Sequence, residues 1–173
     1  MICHRSLAAI TLTYWVISQS PLIAQTNIPK GSAEVMTEWI TYTGNIADID
    51  SSLKITHYSV SQCKQLINQL YQIDQRYRDS VMNGSKSREK QDYFWRKIKA
   101  NDSANQALLT KIVTRYGWPT IHQYGEHESF TAWLIVWHAD RDYQRKYYPL
   151  IKQAYQRGTI KTSYLELYKR LNK

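Results

Sequence analysis

One stripe of apolar residues sets the fold class of this chain. From Ser59 onward, apolar side chains recur at three- and four-residue spacing, at Cys63, Leu66, Ile67, Leu70, Ile73, Tyr77 and Val81. This spacing places them on one face of an α-helix, and Ser59 with Gln62 has the pattern of a capping box. The stripe therefore predicts a long amphipathic helix that ends near Asn83-Gly84.

Similar signals predict further helices on both sides of this stripe. A short helix follows Ser32, a second begins at Gln91, and Asp102 caps a third, which stops at Gly117. A long apolar helix then contains residues 132–138 and is ended or kinked at Pro149, and another helix runs to Gly158.

The end of the chain and the segment before Ser59 complete the predicted architecture. Ser163 and Glu166 have the spacing of a capping box for a last helix, Tyr164 to Leu171. Residues 43–60 have a mixed polar and apolar composition and many turn-forming residues. They could form one short strand at Leu53 to Tyr58, but the sequence has no convincing partner strand for it. We therefore predict an all-α, single-domain bundle of about six helices.

The first 24 residues have the composition of a secretory signal peptide. Arg5 gives a positive start, an apolar stretch runs from Leu7 to Ile17, and the small Ala24 suits the last position before cleavage. The stretch is shorter than the roughly 20 residues of a spanning helix, although an uncleaved anchor is the alternative. We expect a signal peptide over 1–24, an N-terminal helix and irregular linker over 25–58, and a helical domain over 59–173. The protein is then exported, periplasmic or secreted, and its mature chain has no transmembrane segment.

The net charge of +9 is concentrated in residues 86–99 and 141–173. A basic face attracts anions, so an exported protein of this kind is expected to meet an anionic or glycan component of the envelope, or an acidic protein, rather than nucleic acid. The alternative is a solvated surface that keeps the protein soluble. The best binding surface in the sequence interleaves tyrosines with basic residues, namely Tyr143, Tyr147, Tyr148 and Tyr155 with Arg145, Lys146, Lys152 and Arg157.

Two places in the sequence are candidates for chemistry. The apolar run AWLIVWHADRD ends on His138, and Asp142 lies four residues further on the same helix face, whereas Asp140 points to another side. A histidine held by a carboxylate is what a general base needs, although the same pair also occurs as an ordinary surface contact. Asp74 lies on or beside the apolar stripe, where a carboxylate is costly unless it is paired, and Arg78 is four residues away. Asp74 is then either half of a structural ion pair or an acid at the edge of a pocket.

Other motifs favour structure over chemistry. Gly117 with Pro119 is typical of a helix end, with Trp118 packing back on the last turn or, alternatively, binding a ligand. His122 and His127 are five residues apart, which matches no metal-binding spacing, and we expect neither a metal nor a cofactor. The sequence has no GxSxG motif and no phosphate-binding loop, and Cys63, the only cysteine after the signal peptide, has the apolar neighbours of a core residue.

Several landmarks resemble a bacterial family known as domain of unknown function 6624. They are Asp74-Gln75-x-x-Arg78, Asp102-x-x-Asn105, Gly117-Trp118-Pro119-Thr120, Gly125 and the run from Ala132 to Asp140. The resemblance covers about Leu66 to Leu171, and it implies a helical domain in which Asp74, Arg78, His138 and Asp140 are the polar positions to test. Lys169-Arg170 follow Tyr164-Leu165 here, in place of the Asp-Arg pair and the Tyr-Gly-Thr-Gln tail that usually close the family's domain.

Three functions remain open from the sequence. The first is a non-catalytic binding domain for an envelope or protein partner, and the second is a hydrolase-like enzyme that uses Asp74 and His138 in a cleft beside Trp118. The third is an immunity or inhibitor protein. The catalytic candidates are Asp74, His138 and Asp140, and the binding candidates are Arg78, Trp118, His122, Tyr143, Arg145 and Lys146.

Overall fold

The computed structural model describes residues 44–84 and 87–173, which all belong to one compact unit. Within these ranges the chain forms seven α-helices and no strand: α1 (Val60–Gln75), α2 (Arg78–Asn83), α3 (Arg88–Tyr116), α4 (Ile121–Tyr124), α5 (Glu126–His138), α6 (Arg141–Gln156) and α7 (Leu165–Leu171). The predicted all-α bundle is confirmed. The predicted signal peptide and the helix after Ser32 lie outside the described residues.

The capping box and the apolar stripe of α1 are as predicted. The Ser59 hydroxyl accepts from the Gln62 N–H, and the Gln62 side chain accepts from the Ser59 N–H. Cys63 is fully buried in the stripe, as expected of a core residue. The predicted single helix to Asn83 is wrong, because α1 ends at Gln75 and α2 begins at Arg78. The interruption lies where the ring of Tyr77 stacks on Phe94 of α3, with 6.0 Å between centroids.

Helix α3 is a single helix of 29 residues, so the prediction that Asp102 caps a new helix is wrong. No Gly or Pro interrupts residues 88–116, and the Asp102 carboxylate binds a side chain of another helix instead of backbone N–H groups. The end of α3 is as predicted. Gly117 has a φ of 78° and donates its N–H to the Val113 carbonyl at 2.9 Å.

Helix α5 is the centre of the bundle and packs against α1, α3, α4 and α6. It ends at His138 because Ala139 is extended and the Asp140 carboxylate caps α6, accepting from the Tyr143 N–H at 2.8 Å. The predicted continuation of this helix to an end at Pro149 is wrong, since α5 ends at His138 and Pro149 lies inside the next helix, α6. The buried Gln144 amide donates to the carbonyls of Trp137 and Ala139, which satisfies two acceptors where α5 ends.

Two local predictions near the ends of the domain also differ from the structure. Residues 53–58 form turns instead of a strand, with Ile55 buried in the core. The Ser163 hydroxyl accepts from the Leu165 N–H, but Glu166 pairs with Lys169, so the predicted capping box of α7 is not formed. No helix in the described part of the chain is long and apolar enough to cross a membrane.

Candidate active site

Asp74 is a buried carboxylate near the end of α1, and only 2% of it is exposed. Its Oδ2 accepts from Gln75 Nε2 at 2.6 Å and from Arg78 Nε at 3.2 Å. Its Oδ1 accepts from Arg78 Nη2 at 3.2 Å. The predicted pair with Arg78 is therefore formed, and it holds both carboxylate oxygens in place.

His138, the last residue of α5, supplies the remaining contact of Asp74. Its Nδ1 lies 3.0 Å from Asp74 Oδ1, so the two catalytic candidates converge although 64 residues separate them. An ionised carboxylate only accepts, so the shared proton lies on Nδ1 and the other ring nitrogen, Nε2, keeps its lone pair when the imidazole is neutral. Within residues 44–84 and 87–173, Nε2 has no hydrogen-bond partner.

The predicted pairing of His138 with Asp142 is wrong. The helix ends at His138, so the two residues are no longer one turn apart on a common face. Asp142 lies on α6 with 94% of its side chain exposed, where it pairs with Arg145 at 3.3 Å.

Asp102 of α3 joins the same cluster through Arg78. The distance between Arg78 Nη2 and Asp102 Oδ1 is 2.5 Å, so one guanidinium bridges the carboxylates of α1 and α3. This role was not predicted from the sequence, where Asp102 also suits a helix cap. The available signal was its place in an unbroken helical pattern, where a carboxylate has no backbone N–H to cap.

The cluster separates the acidities of its two carboxyl groups. Burial raises the pKa of Asp74, but hydrogen bonds and charge from His138 and Arg78 outweigh it and hold that pKa below its ordinary value. The pKa of Asp102 is raised, chiefly by burial and also by the nearby charge of Asp74, against the opposing effect of Arg78. Asp74 is therefore a stable anion under His138.

A surface cavity of about 380 Å³ opens beside this cluster. One wall is a face of α3 and the other is the junction of α5 and α6; the lining residues are Trp95, Ile98, Lys99, Asp102, Ser103, Gln106, His138 and Asp140. The sequence did not predict the α3 residues of this wall, because two helices were expected within residues 88–116 and the structure has one. Their spacing of three and four residues places them on one face once the helix is continuous.

The acidic cluster also has the make-up of a metal site. Asp74, Asp102 and His138 each bring a ligand atom to within 4.8 Å of the others. However, the guanidinium of Arg78 already contacts both carboxylates, so a positive charge occupies the place that a cation would take. The donor set therefore fits an ion-pair network better than a metal centre.

The remaining predicted site residues are dispersed. Asp140 caps α6 and lines the same cavity as His138, so the prediction that the two residues point to different sides of one helix is wrong, because that helix ends at His138. Trp118 is buried in the core against Tyr147, with 6.2 Å between ring centroids, and does not line the cavity, so the predicted cleft beside Trp118 is wrong. His122 is exposed on α4, away from this cavity lining.

The predicted tyrosine-rich binding surface is divided by the fold. The Tyr143 hydroxyl donates to the Gln106 carbonyl at 2.8 Å, and burial raises the pKa of Tyr143. Tyr147 is buried, whereas Arg145 and Lys146 are exposed. Of the predicted tyrosines, Tyr148 is half-buried and Tyr155 is exposed, and these two form an aromatic cluster with Tyr164 and Tyr168.

Comparison of this chain with protein-family models, with curated proteins and with solved structures finds no match. The site must therefore be interpreted from its own geometry.

Proposed function

We propose that this protein is a hydrolase-like enzyme in which His138 is the general base and Asp74 is the residue that positions it. The observation that carries the proposal is the contact of 3.0 Å between His138 Nδ1 and the buried Asp74, at the wall of an open cavity. A carboxylate on Nδ1 fixes the ring tautomer and stabilises the imidazolium that forms when Nε2 takes a proton.

Water is the nucleophile that this arrangement favours. Ser103 lines the cavity, but in the described part of the chain no hydrogen bond joins it to His138. In the proposed reaction, Nε2 of His138 removes a proton from water as the water oxygen bonds to the carbonyl carbon of an ester or amide. The bond to the leaving group then breaks, and the imidazolium returns its proton to that group.

Other groups around the cavity have supporting roles in this proposal. Lys99 and Gln106 supply donors toward the oxygen on which negative charge develops. Arg78 acts through Asp74, because its guanidinium holds both oxygens of that carboxylate. This role assigns Arg78 to positioning and not to contact with the substrate.

The test is hydrolysis of nitrophenyl esters and nitroanilides by the full chain and by two matched asparagine variants. We expect His138→Asn to lower kcat/KM by about 10²–10⁴-fold, the usual range for loss of a general base. Asp142→Asn is the control, because this exposed acid is the partner that the sequence suggested. Unchanged turnover in His138→Asn, or no turnover by the wild type on either substrate class, contradicts the proposal.

A second candidate function is binding through the C-terminal helices, and the exposed side chains of α6 and α7 favour it. Leu165 and Tyr168 are about half exposed, at 49% and 50%, and Arg145 and Lys146 lie on α6. Apolar and basic groups together suit an anionic envelope surface. Changing Arg145 and Lys146 to Glu is expected to abolish sedimentation with anionic lipid vesicles, and retention of that binding contradicts this function.

We also propose that the protein is exported and belongs to the domain of unknown function 6624 family. The support is the composition of residues 1–24 and the order of landmarks that includes Asp74, Gly117 and His138. In an exported enzyme the site would meet components of the cell envelope.

A further inference from the structure

The cavity beside His138 has an aromatic wall that the proposed catalytic step does not use. Trp95 of α3 lines the cavity with 55% of its surface exposed. An indole is a large apolar surface, and covering it with a ligand removes that surface from water. A flat ligand face that carries C–H groups fits this wall.

Beside Trp95 and Ile98, the cavity also offers hydrogen-bonding groups. Ser103, Gln106 and Asp140 line it, and they supply a hydroxyl, an amide and a carboxylate. Together they both donate and accept, which suits a ligand with several hydroxyl groups. The volume of about 380 Å³ lies in the lower part of the range for small-molecule pockets, roughly 300–1,000 Å³.

The charge at the cavity differs from the charge of the whole chain. The protein has a net charge of +9, but the cluster and cavity hold the carboxylates of Asp74, Asp102 and Asp140. Only Arg78 and Lys99 oppose them, apart from His138 itself, and Arg78 is already bound by two of these carboxylates. Such a site does not attract a polyanion, and the hydroxyl, amide and carboxylate that line the cavity require no charge on the ligand, so a neutral ligand fits it.

We infer that the cavity binds a neutral saccharide whose ring stacks on the indole of Trp95 and whose hydroxyls meet the polar residues on α3 and at Asp140. One face of a sugar ring presents C–H groups to the indole while its edge presents hydroxyls, which matches both walls. This inference rests on the proposed function in one respect. If His138 hydrolyses an acyl bond, that bond joins an acyl group to the bound sugar.

The experiment measures binding and turnover separately on the full chain. Short oligomers of N-acetylglucosamine are the neutral probe, oligomers of galacturonic acid are the anionic probe, and calorimetry measures the affinity of each. We expect the neutral oligomers to bind and the anionic ones to bind at least about tenfold more weakly. Trp95→Ala is expected to abolish binding of the neutral oligomers, and Trp95→Phe to retain part of it.

The matched control is Phe130→Ala, which removes an exposed aromatic ring from α5 that does not line this cavity. Three results overturn the inference: Trp95→Ala binds the neutral oligomers as tightly as the wild type, the wild type does not bind them, or the anionic oligomers bind more tightly. The proposed function fails separately. If His138→Asn still binds the oligomers, and neither it nor the wild type hydrolyses any ester or anilide, the saccharide site stands and the catalytic role of His138 does not.

Discussion

Replacing Asp74 with Asn tests whether this carboxylate is the support of the whole cluster. Asp74 accepts from His138, from two nitrogens of Arg78 and from Gln75. Asparagine keeps the shape but has one acceptor oxygen and one NH₂ group. If the oxygen faces His138, the NH₂ group meets two donors, Arg78 Nε and Gln75 Nε2. If the amide is flipped, the NH₂ group meets Arg78 Nη2, and it can donate to His138 Nδ1 only when the ring proton moves to Nε2, which removes the base.

The expected cost follows from these contacts. Breaking one partner of a buried ion pair costs about 3–5 kcal/mol. The lower end applies here, because Arg78 keeps its contact of 2.5 Å with Asp102 and its side chain is 20% exposed. We therefore expect the free energy of unfolding to fall by about 3 kcal/mol, which lowers the Tm by roughly 6–12 °C in a protein of this size.

The pH dependence of the free energy of unfolding is an independent test that ionised Asp74 stabilises the fold. The pKa of Asp74 is lowered in the folded protein, so its stabilisation is present above the unfolded pKa and is lost as pH falls through the folded value. The difference between the wild type and Asp74→Asn should therefore shrink below about pH 4, near the unfolded pKa of an aspartate. Asp102 acts in the opposite direction, because its pKa is raised in the fold.

The measurement is urea unfolding followed by circular dichroism from neutral pH down to the acid limit, with Asp142→Asn as the control. Because Asp142 is exposed, this control substitution should change the free energy of unfolding by less than about 0.5 kcal/mol. The same Asp74→Asn variant should lose about 10³–10⁴-fold in kcat, by analogy with the aspartate of serine-protease triads. A variant as stable as the wild type at neutral pH would refute the reasoning about the cluster.

Three further predictions concern the fold and the chain start. Gly117→Ala should lower the free energy of unfolding by about 1–3 kcal/mol, because a φ of 78° with an extended ψ is a backbone conformation that only glycine adopts without strain. An added Cβ would have no neighbour within 4 Å, so the cost comes from the backbone conformation and not from a clash. Thermal unfolding measures it. Gln144→Leu should cost about 1–2 kcal/mol, because it leaves the Ala139 carbonyl without its side-chain donor, whereas Arg170 Nη1 still donates to the Trp137 carbonyl. A loss below about 0.5 kcal/mol in urea unfolding contradicts this. N-terminal sequencing of the exported protein should show a start after Ala24 or Gln25 and not at Met1, and an intact start at Met1 would support an anchor.

The helices were predictable because their signals are local. The stripe from Cys63 to Ile73, the Ser59–Gln62 capping box and the stop at Gly117 each depend on residues within a few positions of one another. The errors arose where two local signals compete. Asp102 suits a helix cap, but it lies inside α3 and pairs with Arg78 of another helix. Pro149 suits a helix end, but it lies inside α6.

The sequence alone therefore determined an all-α chain, its core faces and the local pair of Asp74 with Arg78. Helical period is a local property, and the four-residue spacing of this pair survives the break between α1 and α2 because Arg76 and Tyr77 keep right-handed helical backbone angles. Only the tertiary structure decided the partner of His138, because that choice depends on how α5 packs against α1 and ends before Asp142. The cavity, with Trp95 and Lys99 on its wall, likewise exists only where α3 faces the junction of α5 and α6. The contact between Asp74 and His138, 64 residues apart, is set by how their helices pack, and the sequence pattern of neither helix predicts it.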